Sequence, residues 1–201
     1  KGFSTEMSLE VTSLGVQVHG GMGFIEETGA AQHYRDAKIL TIYEGTTAIQ
    51  ANDLVGRKTS RDGGQSALAI AAQIATTEQQ LAQRDNAAAQ AMAKRLKAAR
   101  EAFEQAVAFI AGNASSNPNV AFAGSVPYLM LSGNLMAGWQ LGRSLLAALD
   151  ELAQGHDVEF MKSKIATAHV YAEHILTKVP GIRDSIVSGG EGVIEMALDS
   201  F

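Results

Sequence analysis

The chain has 201 residues and a formal net charge of -5, and its charged residues form no long acidic or basic run. It therefore has no basic stretch suited to a nucleic acid or an anionic membrane surface, and no apolar stretch long enough to span a bilayer. The absence of cysteine excludes a disulfide framework, a thiolate nucleophile and a cysteine-ligated metal, and it fits a reducing compartment.

The chain opens on helical periodicity. Its first ten residues, KGFSTEMSLE, have neither an initiator methionine nor the profile of a signal peptide, so we expect the chain to begin inside a larger protein. Apolar side chains recur at helical spacing at Met7, Val11, Leu14 and Val18. This pattern predicts an amphipathic helix that ends at Gly20–Gly21.

Two further helices are predicted before residue 58. The segment TGAAQHYRDAKIL has helical spacing over 30–38, and TIYEGTTAIQANDLVGRK breaks at Gly45 and resumes as a helix from about Thr46. We expect the hydroxyl of Thr46 or Thr47 to cap that helix by accepting a backbone N–H, with Glu44 at the helix start.

The composition shifts at KTSRDGGQS, where charged residues, serine and paired glycines predict a linker over 59–64. This linker divides the chain into a first domain of residues 1–58 and a second domain of residues 65–201. The first domain contains glycine-rich breaks, whereas the second contains long periodic runs.

Three helices with apolar faces are predicted in the second domain. The faces consist of Met92, Leu96, Ala99, Phe103, Val107 and Ile110; of Val126, Leu129, Gly133, Met136, Gln140 and Leu145; and of Met161, Ile165, Ala168, Ala172 and Ile175. The third helix is expected to run from Val158 to Lys178, with Pro180–Gly181 closing it and SGGEG preceding a short terminal helix. The sequence has no sustained alternation typical of strands, so the predicted fold class is all-α, with residues 65–201 forming an antiparallel helical bundle.

Two short segments stand out as candidate functional sites. HGGMGF, at 19–24, fits neither a dinucleotide-binding fingerprint nor a P-loop, and it is either a helix end followed by a turn or a place where bare backbone approaches a ligand or a subunit. IYEGTTAIQ, at 42–50, places Glu44 at a junction between elements. That carboxylate either interacts with the helix dipole or performs a function there.

Taken together, these segments resemble a known family. The motifs Q-x-x-G-G-x-G, RDA-K-I and YEGT-x-x-IQ occur in this order within LGVQVHGGMGFIEETGAAQHYRDAKILTIYEGTTAIQANDLVGRK. In this combination they resemble the C-terminal α-helical domain of acyl-CoA dehydrogenases over residues 1–58. Residues 65–201 resemble the helical domain that is appended in one branch of that family.

The resemblance implies a flavoenzyme that uses FAD to oxidise an acyl-CoA thioester. It implies that Glu44 is the base that removes the α-proton, with burial against flavin and acyl chain raising its pKa toward neutrality. The backbone N–H of Glu44 would donate to the thioester carbonyl oxygen. Gly45 would leave room for the thioester, and Tyr43 would line the acyl pocket.

The resemblance also implies a set of residues that contact FAD. The segment at 17–21 would lie against FAD bound mainly by a neighbouring subunit, and Thr46 would contact FAD at the start of the following helix. Ala48 stands where some members have a glutamine. Arg57 corresponds to a substrate-side arginine, but at an offset one residue longer than in some members. Neither residue is therefore counted among the predicted site residues. The predicted cofactor-binding residues are Gln17, Val18, His19, Gly20, Gly21 and Thr46.

The implied partners are acyl-CoA, an electron-transfer flavoprotein and further copies of the chain in a homodimer or homotetramer. No metal is expected, because the histidines lack a mutual ligand pattern. The expected location is the bacterial cytoplasm, or the mitochondrial matrix of a eukaryote. We expect residues 1–201 alone to be inactive, and the alternatives are an acyl-CoA oxidase and a non-catalytic helical interaction or oligomerisation module.

Overall fold

A computed structural model describes residues 1–200, apart from the side chain of Leu198. The chain is 85% helical and has no strand among those residues, which confirms the predicted all-α fold class. The α-helices are α1 (Gly2–Val18), α2 (Gly21–Phe24), α3 (Ala30–Lys38), α4 (Thr47–Asp53), α5 (Gln65–Ala82), α6 (Ala87–Asn113), α7 (Pro118–Ala123), α8 (Ser125–Ala153), α9 (Val158–His174), α10 (Val179–Ser188) and α11 (Gly190–Ile194).

Shorter helical turns lie between several of these helices, and one follows α11. They are 3₁₀ turns at Glu26–Thr28, Ile39–Thr41, Ser60–Asp62, Leu176–Lys178 and Leu198–Ser200, and a π-helical turn at Leu54–Thr59. The predicted helix over 30–38 is confirmed as α3, and the predicted break at Gly45 separates the second 3₁₀ turn from α4.

The predicted end of the third long helix is wrong. α9 ends at His174, and Pro180 stands in the first turn of α10 instead of closing the preceding helix. Proline is tolerated in a first turn because the backbone N–H that it lacks has no acceptor within the helix there. Pro180–Gly181 therefore marks the start of α10 and not the end of α9.

The core of the molecule surrounds α6, which packs against α5, α8, α9 and α10. The predicted apolar face of α6 is confirmed, since all six of its residues are buried. The ring of Phe103 stacks on that of Tyr128 of α8 with 6.0 Å between their centroids. Contacts between α6 and its neighbours thus hold the bundle together.

The predicted apolar face of α8 is wrong at Val126 and Gln140, whereas Leu129, Gly133 and Met136 are half-buried. Val126 is 37% exposed and Gln140 is exposed, and only Leu145 of the predicted set is fully buried. α8 contacts α1 and α4 on one side and α5, α6, α9 and α10 on others, so apolar residues occur around most of the helix. A single periodic face cannot be selected from such a sequence.

The N-terminal end of α1 crosses α8 at very short range. A Cβ atom at Gly133 would lie 2.1 Å from the ring of Phe3, so only glycine fits at this crossing. The predicted helix at α1 is confirmed, but Val11, Leu14 and Val18 on its predicted apolar face are 65%, 56% and 86% exposed. Nothing within the described chain covers that face.

The segment that joins the two predicted domains packs onto the bundle. Thr59 is buried, and its hydroxyl shares a 3.0 Å hydrogen bond with the hydroxyl of Tyr128. Positive φ angles occur at Gly63 and Gly64, immediately before α5. The division into domains at 59–64 stays a prediction, and the structure places a buried contact at its edge.

Candidate functional site

Glu44 lies in a left-handed turn between the 3₁₀ turn Ile39–Thr41 and α4. Its φ angle is 55° and that of Gly45 is 89°. This conformation costs roughly 1–2 kcal/mol for a residue with a Cβ atom, and Asp157 is the only other non-glycine residue in the described part of the chain that adopts it. The side chain of Glu44 is exposed, and neither its carboxylate nor its backbone N–H has a hydrogen-bonding partner among residues 1–200.

Two side chains from neighbouring elements hold the backbone of this turn. The ammonium group of Lys1 donates a 2.7 Å hydrogen bond to the carbonyl of Gly45 and lies 5.7 Å from the centroid of the Tyr43 ring. The side-chain amide of Gln50 donates a 3.2 Å hydrogen bond to the carbonyl of Glu44. The turn is therefore held from α4 and from the start of α1.

The predicted N-cap position of α4 is confirmed at Thr46, but the predicted capping hydrogen bond is not formed. Thr46 has extended backbone, and no side-chain oxygen accepts from the first N–H groups of the helix. The hydroxyl of Thr47 instead donates to the carboxylate of Glu6 on α1. The Thr46 hydroxyl is thus left exposed and unpaired within residues 1–200.

The glycine-rich segment forms the turn between α1 and α2. α1 ends at Val18, and Gly20 has a φ of 60°, which explains why glycine stands there. A Cβ atom at Gly23 would lie 2.2 Å from the carbonyl oxygen of Val16, so this glycine is required by packing within the chain. Positions 20 and 21, by contrast, face open space. The exposed residues of the segment are Gln17, Val18, His19, Gly20 and Gly21.

The two predicted site segments lie at opposite ends of α1. Lys1, which precedes α1, contacts the Glu44 turn, whereas 17–21 forms the other end. A helix of 17 residues is roughly 25 Å long at 1.5 Å per residue. A single chain therefore brings Tyr43, Glu44, Gly45 and Thr46 together but leaves 17–21 apart from them.

Comparison with known proteins gives independent information on both parts of the chain. A family model described as the C-terminal domain of acyl-CoA dehydrogenases matches residues 1–58. A second model, described as acetyl-CoA dehydrogenase C-terminal like, matches residues 70–197.

The chain belongs to the acyl-CoA dehydrogenase family. Its relatives include 3-methylmercaptopropionyl-CoA dehydrogenase of Ruegeria pomeroyi, which is 56% identical over 98% of this chain and 34% of the relative. Broad-specificity linear acyl-CoA dehydrogenase FadE5 of Mycobacterium tuberculosis is 32% identical over 98% of this chain and 33% of the relative. A butyryl-CoA dehydrogenase of Syntrophomonas wolfei is 33% identical over 100% of this chain and 33% of the relative.

The chain spans about a third of the length of the curated relatives it matches. Flavoprotein oxidoreductase chemistry and fatty acid β-oxidation are general properties of the family. No helix among residues 1–200 combines the length and apolar character that crossing a membrane requires. The same residues contain no group of three or more histidine, aspartate or glutamate side chains positioned to hold a metal ion.

Large apolar side chains surround the Glu44 turn at the surface of the chain. Ile39, Ile42, Tyr43 and Ile49 are 53%, 48%, 49% and 59% exposed. Such a concentration of exposed apolar residues within eleven positions is typical of a ligand or interaction site.

Arg57 lies in the π-helical turn that follows α4. Arg57 forms an ion pair with Asp53 that lowers the pKa of the carboxyl group through hydrogen bonding and charge. Together with Lys58 and Arg61 it lines a largely apolar cavity of about 650 Å³.

The sequence did not predict three residues that contact the Glu44 turn or the first residue of α4. Lys1 and Glu6 gave no signal, because their contacts depend on how α1 meets α4. Gln50 is the final residue of the motif YEGT-x-x-IQ, so its position in the motif was the available signal. Its hydrogen bond to Glu44 could be recognised only from the backbone conformation.

Proposed function

We propose that this chain is part of an enzyme that uses FAD to introduce a double bond between the α and β carbons of an acyl-CoA thioester. Glu44 is the base in this proposal. The observation that carries it is the exposed left-handed turn at Glu44, whose carboxylate and backbone N–H have no partner among residues 1–200. Both groups are therefore available to the same substrate.

Glu44 acts on the thioester in two ways. Its backbone N–H donates a hydrogen bond to the thioester carbonyl oxygen and stabilises the negative charge that develops there. Its carboxylate accepts the proton from the adjacent α carbon, a role that typically contributes about 10²- to 10⁴-fold to the rate. Gly45 keeps the space beside the thioester free of a side chain, and Tyr43 lines the acyl chain.

Several exposed groups fit FAD. The Gln17 amide, the Thr46 hydroxyl and the open backbone at Gly20 and Gly21 are polar groups of the kind that contact a nucleotide, and the Thr46 hydroxyl has no partner within residues 1–200. FAD supplies the acceptor for the hydride from the β carbon. Val18 and His19 complete the proposed contact segment through their backbone.

We further propose that the active enzyme is a homodimer or homotetramer. The separation of 17–21 from the Glu44 turn by the length of α1 supports this, because the two segments then contact FAD molecules held in different subunits. The exposed apolar face of α1 provides surface for such contacts. The proposed electron acceptor is an electron-transfer flavoprotein, and the proposed location is the cytoplasm.

Acyl-CoA is the proposed substrate, and the basic residues after α4 fit its phosphates. Arg57, Lys58 and Arg61 place three cations within five residues, of which Arg57 and Lys58 share one carboxylate partner, Asp53. The net positive charge of this group suits phosphate oxygens, with which arginine pairs well.

The test uses the complete protein, purified with FAD bound. It is mixed under anaerobic conditions with acyl-CoA thioesters of different chain lengths. We expect the yellow flavin to be bleached and an equal amount of enoyl-CoA to form. Absence of bleaching with every thioester would contradict the proposal. Residues 1–201 purified alone are expected to bind no FAD, because these residues supply only part of the contacts.

The same preparation distinguishes the alternatives. An acyl-CoA oxidase would produce hydrogen peroxide in air, whereas a dehydrogenase would reduce an electron-transfer flavoprotein. A helical interaction module would do neither. It would also have no need for a glutamate and a glycine that both adopt the left-handed backbone conformation.

A further inference from the structure

The left-handed turn at Glu44 requires contacts that hold it, because this conformation is unfavourable for a residue with a Cβ atom. Backbone hydrogen bonds do not provide them, since neither the N–H nor the carbonyl of Glu44 pairs with a backbone group in the part of the chain that the structure describes. The carbonyl instead accepts the 3.2 Å hydrogen bond from the side-chain amide of Gln50.

Gln50 is well placed to hold the turn because its own position is fixed on both sides. Its stem lies against the start of α1, where a Cβ atom at Gly2 would be 3.2 Å from the Cβ atom of Gln50. Its amide nitrogen lies 2.6 Å from the position that a Cβ atom at Gly45 would take. The amide thus occupies the space that the glycine leaves open.

These contacts link the choice of residue at three positions. Gly45 is required both by its φ of 89° and by the amide of Gln50. A hydrogen bond to the carbonyl of Glu44 fixes the peptide plane that follows its Cα atom, and this plane determines ψ at Glu44. The direction in which the Glu44 side chain points from the turn therefore depends on Gln50.

We propose that Gln50 is a positioning residue that aims the Glu44 carboxylate by holding its carbonyl oxygen. This inference rests on the proposed function of Glu44 as the base. Gln50 is neutral and its amide points at the backbone, so it acts through Glu44 and takes no part in proton transfer.

The test uses the complete protein with FAD and the variants Gln50→Met and Gln50→Glu, which keep the length of the side chain and remove the donated hydrogen bond. We expect the rate of flavin bleaching at saturating acyl-CoA to fall between about 10- and 100-fold, because misplacement of a reacting group by about 1 Å has effects of this size. The flavin content and the half-saturating acyl-CoA concentration are expected to stay within about twofold, since the binding surface is unchanged.

Gln90→Met is the matched control. The Gln90 amide donates 2.8 Å hydrogen bonds to the carbonyls of Ala82 and Arg84, which lie at the end of α5 and in its connection to α6 and not in the Glu44 turn. This variant loses the same kind of contact, so it measures what general destabilisation does to the bleaching rate. We expect it to bleach at the wild-type rate.

Two results would overturn the inference on Gln50. The first is wild-type bleaching by both Gln50 variants, and the second is a loss of rate in Gln90→Met equal to that of the Gln50 variants. If Gln50→Met fails to retain flavin, the bleaching rate of Gln50→Glu alone tests the inference, and a wild-type rate in that variant overturns it. A wild-type bleaching rate in Glu44→Gln would contradict the proposed role of Glu44 as the base. This result is distinguishable from the two above, because it does not depend on the Gln50 variants.

Discussion

Tyr171 is a residue whose ionisation the fold opposes. Burial raises the pKa of its hydroxyl to about 12, and this hydroxyl donates a 3.2 Å hydrogen bond to the carbonyl of Asn134 on α8. In an unfolded chain the pKa of a tyrosine is about 10. The folded form therefore retains the proton over a range of pH in which the unfolded form loses it.

This difference predicts how stability depends on pH. Below about pH 10 the contribution of Tyr171 is fully present, and it is lost as the pH rises toward about 12, because the unfolded state binds fewer protons there. Tyr171→Phe should reduce the loss of the free energy of unfolding between pH 9 and pH 11 in urea titrations. Tyr34→Phe, at a 45% exposed site, is the control. Equal slopes for the wild type and Tyr171→Phe would contradict the prediction.

At the level of residues, the sequence predicted a functional role for Glu44, which stays a proposal, but it did not predict the contacts around that residue. The carboxylate within the motif YEGT-x-x-IQ led to the proposal of a base, and Gly45 indicated a break between helices. The contacts of Lys1 and Gln50 with the turn depend on a left-handed φ and on the meeting of α1 with α4, which no local pattern encodes. Thr46 gave the position of the cap, but the capping bond was absent.

Among the helices, α6 begins with a well-formed cap. The side-chain oxygen of Asn86 accepts hydrogen bonds of 3.0 and 3.1 Å from the backbone N–H groups of Ala88 and Ala89. These groups have no acceptor within the helix, so the cap stabilises the helix that supplies much of the core.

Loss of this cap is expected to destabilise the protein. Asn86→Ala should lower the free energy of unfolding by about 1 kcal/mol in urea titrations. Asn117→Ala is the matched control, because Asn117 precedes α7 without a side-chain capping bond. We expect a clearly smaller loss for the control. An equal loss in both variants would show that the cap of α6 contributes nothing specific.

The helices also show where periodicity is informative. The face of α6 was predicted correctly because its opposite side carries charged residues such as Lys97 and Glu101. The face of α8 was predicted only in part, because this helix contacts partners on several sides and carries apolar residues around most of its surface. Pro180 was ambiguous for a different reason, since proline both ends helices and occurs in their first turn.

In the whole molecule, the main hydrophobic core is formed by residues between Val55 and Ile186. The buried core belongs mainly to the bundle of α5, α6, α8, α9 and α10, whereas the first fifty residues expose large apolar side chains on α1 and around Glu44. The fold class followed from periodicity throughout the chain. The placement of the two site segments at opposite ends of α1 did not, because it depends on how the helices are arranged in space.

The chain also spans only about a third of its relatives' length. The exposed apolar surface of the first fifty residues and this short coverage support the same proposal, in which the Glu44 turn works within a larger enzyme. The central claim is that Glu44 is the base of that enzyme, and it has a direct test.

That test is the rate of flavin bleaching by acyl-CoA in Glu44→Gln, measured without oxygen on the complete protein with FAD bound. Glu27→Gln is the control, because it removes the same charge from another exposed glutamate of the first fifty residues. We predict that Glu44→Gln retains its flavin and bleaches about 10²- to 10⁴-fold more slowly than the wild type, while Glu27→Gln bleaches normally. Bleaching of Glu44→Gln at the wild-type rate would contradict the claim.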